Sequence, residues 1–377
     1  MAKHSKSSTA KKIWIIVLSM FVLFGIGTSF LIIFGSPKSV EGVANVVPST
    51  TTTSKPKTPF TVTLTTSNSV ALSNGATISV TFSHKLSSDP VLPTLSPQVP
   101  GSWSVAGDTV TFTPQASYIP GSTLTILVPQ SAADIYGQRL ANPYSINYSV
   151  APGSVERLQQ LLAQLGYLPV SFTPASTTPV SPVDFTNPVQ GTFAWKYPNI
   201  PLSLSQLWVE GQYNLITKAA VMAFEADHNM KFDGIAGPIV WTALLESIMT
   251  NSISTAPYDY VLVTKALPET LQVWRNGQII YSTLANTGIS AAPTADGTYP
   301  VYSRFFTTTM SGTNPNGTKY KDPGIPWVSY FNGGDAIHGF VRSSYGFPQS
   351  LGCVELPISN AGIVFPMTPI GTLVNVS

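Results

Sequence analysis

The spacing of apolar residues changes twice along this chain, so it must fold as several differently built parts in series. From 59 to 151 the period is two: Ile78, Val80 and Phe82 alternate with Ser79 and Thr81, and Ile146, Tyr148 and Val150 alternate with polar partners. Further β-rich runs at 109–112 and 123–128 lie between Gly, Pro, Asn and Asp turns, which is the pattern of a β-sandwich. From 152 to 250 the period becomes helical. Val155, Leu158, Leu161, Leu162 and Leu165 form one stripe, with Ser154 as N-cap and Gly166 as stop. Ile216, Ala219, Ala220, Ala223 and Phe224 form a second stripe. Pro238 opens a third, carrying Val240, Trp241, Leu244, Leu245 and Ile248. Residues 169–205, rich in Pro, Thr and Trp, interrupt this region as an insertion. From 257 to 377 strands return. Leu271 and Val273, then Ile279 and Tyr281, flank Asn276-Gly277, a two-residue hairpin signal. Residues 301–307, 327–331 and 362–374 add β-prone pieces, so this last domain is expected to be mostly β.

The N-terminus is organised differently. Residues 1–12 form a basic leader with Lys3, Lys6, Lys11 and Lys12, followed by an uncharged run from Ile13 to Phe34. As a helix, that run would be roughly 33 Å long, enough to span a bilayer core. It exceeds an ordinary signal-peptide core, and no clear small-x-small cleavage site follows it directly. Residues 13–35 are therefore expected to be a retained single-pass anchor, with the N-terminus inside and the rest outside the cell membrane. Residues 36–58, a Ser/Thr/Pro stretch without helical period, are expected to be an extended linker.

Composition narrows the function. Charged residues make up only 10% of the 377, and the formal net charge is +2, with several lysines in the leader. Nothing electrostatic supports nucleic-acid binding. One cysteine excludes an internal disulfide framework, and His4, His84 and His228 lie in separate regions, so no metal-ligand spacing is present. No cofactor is expected.

The lone cysteine, Cys353, follows His338 by fifteen residues, with Gly352 before it and Val354 after it. A thiol at a turn, with an imidazole delivered by an earlier strand, is the minimum equipment for cysteine acyl transfer, because the thiolate is the nucleophile. Taken singly, each residue has a plainer explanation: a buried small hydrophobe and a satisfied core histidine.

The surrounding motifs resemble a known family. Ile337-His338-Gly339, then Ser350-Leu351-Gly352-Cys353-Val354, is similar to the L,D-transpeptidase (YkuD-type) catalytic signature. The stretch from Pro293 to Pro300, the run Tyr330-Phe331-Asn332-Gly333-Gly334 and Gly371-Thr372-Leu373-Val374 also match, in the family's order. Two positions depart from it: Leu351 replaces a second histidine, and Glu355 stands where a cation or asparagine is common. The resemblance implies Cys353 as nucleophile, His338 as base and proton donor, and the Gly339 carbonyl as orienter of its ring. Gly352 and Gly339 are expected as supporting or oxyanion residues, Ser350 as a hydroxyl buttress of the loop, and Tyr330 and Arg342 at the substrate. Leu351 is expected to add packing, and Arg342 to replace the missing cation.

Two other regions carry resemblances. Phe82-Ser83, Trp103, Val110 to Pro114, Tyr118 to Gly121 and Asp134 to Gly137 are similar to bacterial Ig-like domains, implying a spacer. Leu158-Gln159, Leu165-Gly166-Tyr167, Gly211, Thr217, Val221, Phe224 and Asp233 to Pro238, with Trp241 and Leu244, resemble the three-helix peptidoglycan-binding module, implying either glycan binding or a scaffold. The whole is thus expected to be a mainly β multidomain protein facing the cell wall, acting on peptidoglycan stem peptides and glycan, and inhibited by carbapenem-type β-lactams. The implied activity is 3–3 cross-linking through a cysteine thioester. An L,D-carboxypeptidase cleaving the same bond, or a non-catalytic wall-binding surface protein, are the alternatives.

Overall fold

The computed structural model describes residues 57–64, 66 and 70–377. The expected anchor and nearly all of the expected linker lie outside the described residues. Among the described residues, no helix is long and apolar enough to cross a membrane.

The first domain contains β1 (Val62–Leu64), β2 (Ile78–Phe82), β3 (Thr94–Ser96), β4 (Gly101–Ala106), β5 (Thr109–Pro114), β6 (Thr123–Val128) and β7 (Tyr144–Ser149). These form two sheets, in the orders β1-β2-β5-β4 and β3-β6-β7. The alternation seen in the sequence decides which side chains meet: Ile78, Val80, Phe82, Val110, Phe112, Ile126, Ile146 and Tyr148 fill one core.

The helical module comprises α1 (Val155–Gln164), α2 (Leu202–Ser205), α3 (Leu215–Asp227) and α4 (Pro238–Met249). Ser154 Oγ caps α1 by accepting the Arg157 N–H at 3.3 Å, and Gly166 ends it with φ +87°. Gln159 is fully buried. Its amide nitrogen donates to Val209 O, Gln212 O and Thr217 Oγ1 at 3.1, 3.0 and 2.9 Å, and its oxygen accepts the Gly211 N–H at 2.8 Å. One side chain thus clamps the turn that leads into α3. The 169–205 insertion is folded: β8 (Val170–Pro174) and β9 (Gly191–Trp195) pair antiparallel, with Phe172 opposite Phe193.

In the last domain, β10 (Asp259–Thr264), β11 (Thr270–Arg275), β12 (Gln278–Leu284) and β13 (Gly297–Pro300) precede a long hairpin of β14 (Ser303–Thr313) and β15 (Lys319–Asn332). Next come β16 (Asp335–Gly339), β17 (Val354–Leu356), α5 (Ile358–Val364) and β18 (Leu373–Val376). One sheet runs β12-β11-β10-β18-β13 and the other β14-β15-β16-β17, with Val261, Leu271, Val273, Ile337, Val354 and Val374 in the core between them. Asn276 (φ 48°) and Gly277 (φ 102°) make the expected hairpin turn between β11 and β12. Residues 362–374 are mostly not strand: 358–364 is helix and only Leu373 begins β18. A helix of seven residues is too short for its period to show in sequence.

The modules share cores rather than hanging as beads. Tyr260, Trp274 and Leu373 of the last domain belong to the helical module's cluster. Trp274 Nε1 donates to Asn199 O at 3.0 Å, and Tyr260 Oη to Ser203 Oγ at 3.1 Å. A Cβ on Gly371 would lie 2.4 Å from Ala219 O, so only glycine lets β18 approach α3 this closely.

Candidate active site

The site grows out of the parallel pair β16–β17, whose register sets Ile337 beside Val354 and His338 beside Glu355. Side chains alternate across a strand. Ile337, Val354 and Leu356 therefore enter the core, while His338, Cys353 and Glu355 turn to the opposite face. On that face opens a cavity of about 640 Å³, walled also by Met310, Tyr320, Tyr330 and Asp335. The long β14–β15 hairpin supplies three of these.

His338 is 3% exposed, and its Nδ1 lies 3.1 Å from Gly339 O. A carbonyl only accepts, so Nδ1 carries the proton and Nε2 holds the lone pair. Burial lowers the imidazole pKa, and Arg342 adds to this, against the Gly339 bond and Glu355, which raise it. The ring is neutral at neutral pH. Gly339 serves a second purpose: a Cβ there would meet Ile358 Cα and Pro326 Cγ at 3.1 Å, so the glycine lets α5 lie on β16.

Cys353 is half-buried, with Sγ 3.8 Å from Gly334 O. Burial pushes its thiol up to about 12, and Asp335 and Glu355 push the same way, against a hydrogen bond from the Ala336 N–H. At rest the pair is thus thiol and neutral imidazole, with the thiol turned to a backbone carbonyl.

The turn before the thiol is rigidly held. Ser350 Oγ donates to Cys353 O at 2.5 Å and accepts the Gly352 N–H at 3.2 Å. Gly352 has φ +115°, and a Cβ there would lie 2.4 Å from Asp335 Oδ1. With its N–H taken by Ser350, Gly352 supports the turn by conformation and is not a free oxyanion donor. Asn286 pairs with Glu355 through both backbone hydrogen bonds at 2.9 Å, fixing β17 from its other side.

Other expected positions fall as follows. Tyr330 lines the cavity, its ring against Tyr302 and Phe305. Arg342 also lines it, but Nε and Nη2 hold both Glu355 oxygens at 2.7 and 2.8 Å. Its charge is answered by Glu355 and does not stand free for a substrate carboxylate, and the Glu355 departure is matched within the fold. Leu351 is 36% exposed, so it adds little packing. Asp335 carries no motif signal, because its place beside Gly352 and its charge near the thiol arise only in three dimensions. No cluster that could hold a metal occurs among the described residues.

Residues 258–376 match the family model of the L,D-transpeptidase catalytic domain. Residues 43–150 match the bacterial Ig-like domain, and 202–244 the model described as "Putative peptidoglycan binding domain". Solved structures similar to the chain include an L,D-transpeptidase from Mycobacterium smegmatis, 11% identical, covering 85% of this chain and all of that one, with a TM-score of 0.29. Another is the catalytic domain of the Enterococcus faecium L,D-transpeptidase, 25% identical over 33% of this chain and all of that one, TM-score 0.30. A third, from Mycobacterium tuberculosis, is 12% identical over 81% of this chain and 93% of that one, TM-score 0.28. Curated proteins offer no match.

Proposed function

We propose that this chain, which carries an L,D-transpeptidase catalytic domain at residues 258–376, forms 3–3 cross-links between peptidoglycan stem peptides through a thioester on Cys353. The observation that supports this most is one cavity walled by both Cys353 and a neutral His338 whose Nδ1 is tied to Gly339 O. Nε2 takes the thiol proton as sulfur attacks the carbonyl of the third residue of a tetrapeptide. The C–N bond then breaks, the terminal D-alanine amine leaves with that proton, and the thioester remains. The amine of a neighbouring third residue attacks next, gives its proton to Nε2, and sulfur departs as the thiol. General-base help of this kind contributes about 10²–10⁴-fold. Each backbone oxyanion donor adds about 3–4 kcal/mol. Tyr330 would line the donor side of the cavity.

The same function asks for an extracytoplasmic address, which residues 13–35 would provide as a membrane anchor, and carbapenem-type β-lactams should acylate Cys353. Incubating the purified protein with tetrapeptide and following products by mass spectrometry tests the proposal. Cross-linked dimer is expected. Tripeptide alone would mark a carboxypeptidase, and unchanged tetrapeptide would exclude catalysis on this substrate.

A further inference from the structure

Arg157, in the first turn of α1, is only 5% exposed. Its Nε donates to Phe185 O at 2.8 Å and its Nη1 to Gln160 Oε1 at 3.2 Å, both neutral acceptors. The ion pairs among the described residues do not include it. Glu156 is reached only through Gln160, whose amide donates to it at 3.2 Å. An arginine this buried normally has an anion beside it. Burial lowers its pKa to about 10, so it remains charged at neutral pH.

Arg157 lines a cavity of about 300 Å³, at the small end of ligand pockets. Its Nη2 has no protein acceptor among the described residues. Nor is that atom sealed away, since the sealed, unsatisfied polar side-chain atoms there are Asn74 Oδ1, Thr186 Oγ1 and Arg304 Nε. The insertion turn supplies hydroxyls to the same cavity: Ser176, Thr177 and Thr178 line it, with Ser176 Oγ donating to Thr178 Oγ1 at 3.0 Å and accepting the Thr178 N–H at 3.1 Å. Leu161, Val180, Val189 and Ile248 make much of the rest apolar.

We propose that this cavity binds the terminal carboxylate of a stem peptide, with Arg157 Nη2 on the carboxylate and the apolar wall around a methyl-sized side chain. Guanidinium geometry suits a carboxylate, and the small apolar remainder selects a residue such as D-alanine. The naming of the ligand rests on the function proposed above; the anion site itself does not. Arg157 lies on α1 and the 176–178 turn in the insertion, both outside the 202–244 match. The site would let the helical module hold an uncleaved peptide end while the cysteine cavity works on another.

The test uses the full chain carrying Cys353→Ala, titrated calorimetrically with N-acetyl-D-alanine, its C-terminal amide and acetate. The acid should bind at least ten-fold tighter than the amide or acetate. Arg157→Gln should weaken it at least ten-fold, and so should Val180→Trp, which fills the cavity while leaving the arginine in place. Equal binding of acid and amide, or unchanged affinity in both variants, overturns the proposal. Acetate binding as tightly as the acid overturns the peptide assignment and leaves a small-anion site. Tetrapeptide turnover is measured separately on the unsubstituted protein with Cys353 intact. Absent turnover in the unsubstituted protein would sink the proposed function while leaving the carboxylate result to stand on binding alone.

Discussion

At Cys353 the surroundings oppose ionisation: burial, Asp335 and Glu355 all favour the thiol. Under the proposed function the nucleophile is then generated as it attacks, by a base that is neutral beforehand. His338 meets that requirement because burial lowers its pKa. The sign gives a pH prediction. A depressed imidazole stays unprotonated to lower pH than the ordinary value near 6.5, so the acid limb of kcat/KM should have its midpoint below about 6.5. A midpoint above 7 would mean that the base carries a raised pKa, against the effect of burial on His338. Cys353→Ala should abolish turnover with little change in melting temperature, since the half-buried thiol packs only at the edge of a small cluster; an active alanine variant would remove the nucleophile from the mechanism. At Gly352, alanine would meet both a disfavoured φ and the Asp335 carboxylate. Gly352→Ala should lower activity by more than about ten-fold, roughly 1.4 kcal/mol, and adding Asp335→Ala should restore part of it. If the second change restores nothing, the carboxylate contact is not what limits the alanine variant. Leu351 is the opposite case. Its exposed side chain leaves the position to act through the backbone, so Leu351→His should change the rate by less than ten-fold.

At the scale of elements, β16 and β17 are joined by a fourteen-residue connection, 340–353, held at both ends by charge and hydroxyl chemistry. The Arg342–Glu355 pair straddles it. Breaking this pair with Arg342→Ala would leave Glu355, 4% exposed, without its cation. Buried pairs cost about 3–5 kcal/mol to break, and the partly exposed arginine brings that down to about 2–3 kcal/mol. Denaturant melts should recover most of the loss in the Arg342→Ala, Glu355→Gln double variant; purely additive losses would show that the two do not interact. Such a contact is hard to read from sequence, because thirteen positions separate two residues whose charges look independent. Strong local signals were legible: the Asn276-Gly277 turn, the Ser154 cap and the alternation of β2 and β7 all specify structure within a few residues. The β14–β15 hairpin was legible only in pieces, because Pro323, Gly324 and Pro326 break up its strand pattern. The hairpin in the insertion was hidden by its prolines. The positions of His338 and Cys353 could be read from motif alone, whereas the carboxylate that crowds Gly352 and the exact electrostatics of the thiol could not, because they depend on packing between segments.

For the whole molecule, the shared cluster containing Tyr260, Trp274 and Leu373 means that the catalytic domain does not bury its own outer face. Residues 257–377 expressed alone should therefore melt lower, or aggregate, compared with 152–377, because two aromatic faces and the Asn199 and Ser203 partners are lost together. Equal melting temperatures for the two fragments would show the seam to be incidental. Gly371 against α3 points the same way: a seam closed to within the thickness of a glycine leaves no room for a hinge. Under the proposed function, a wall polymer held by the helical module would then be presented to the thiol at a set spacing, like cloth fed past a needle at a fixed gauge. Which bond is worked on would become a question of how far along the polymer it lies, and replacing the packed seam by a loose tether would change the stitch.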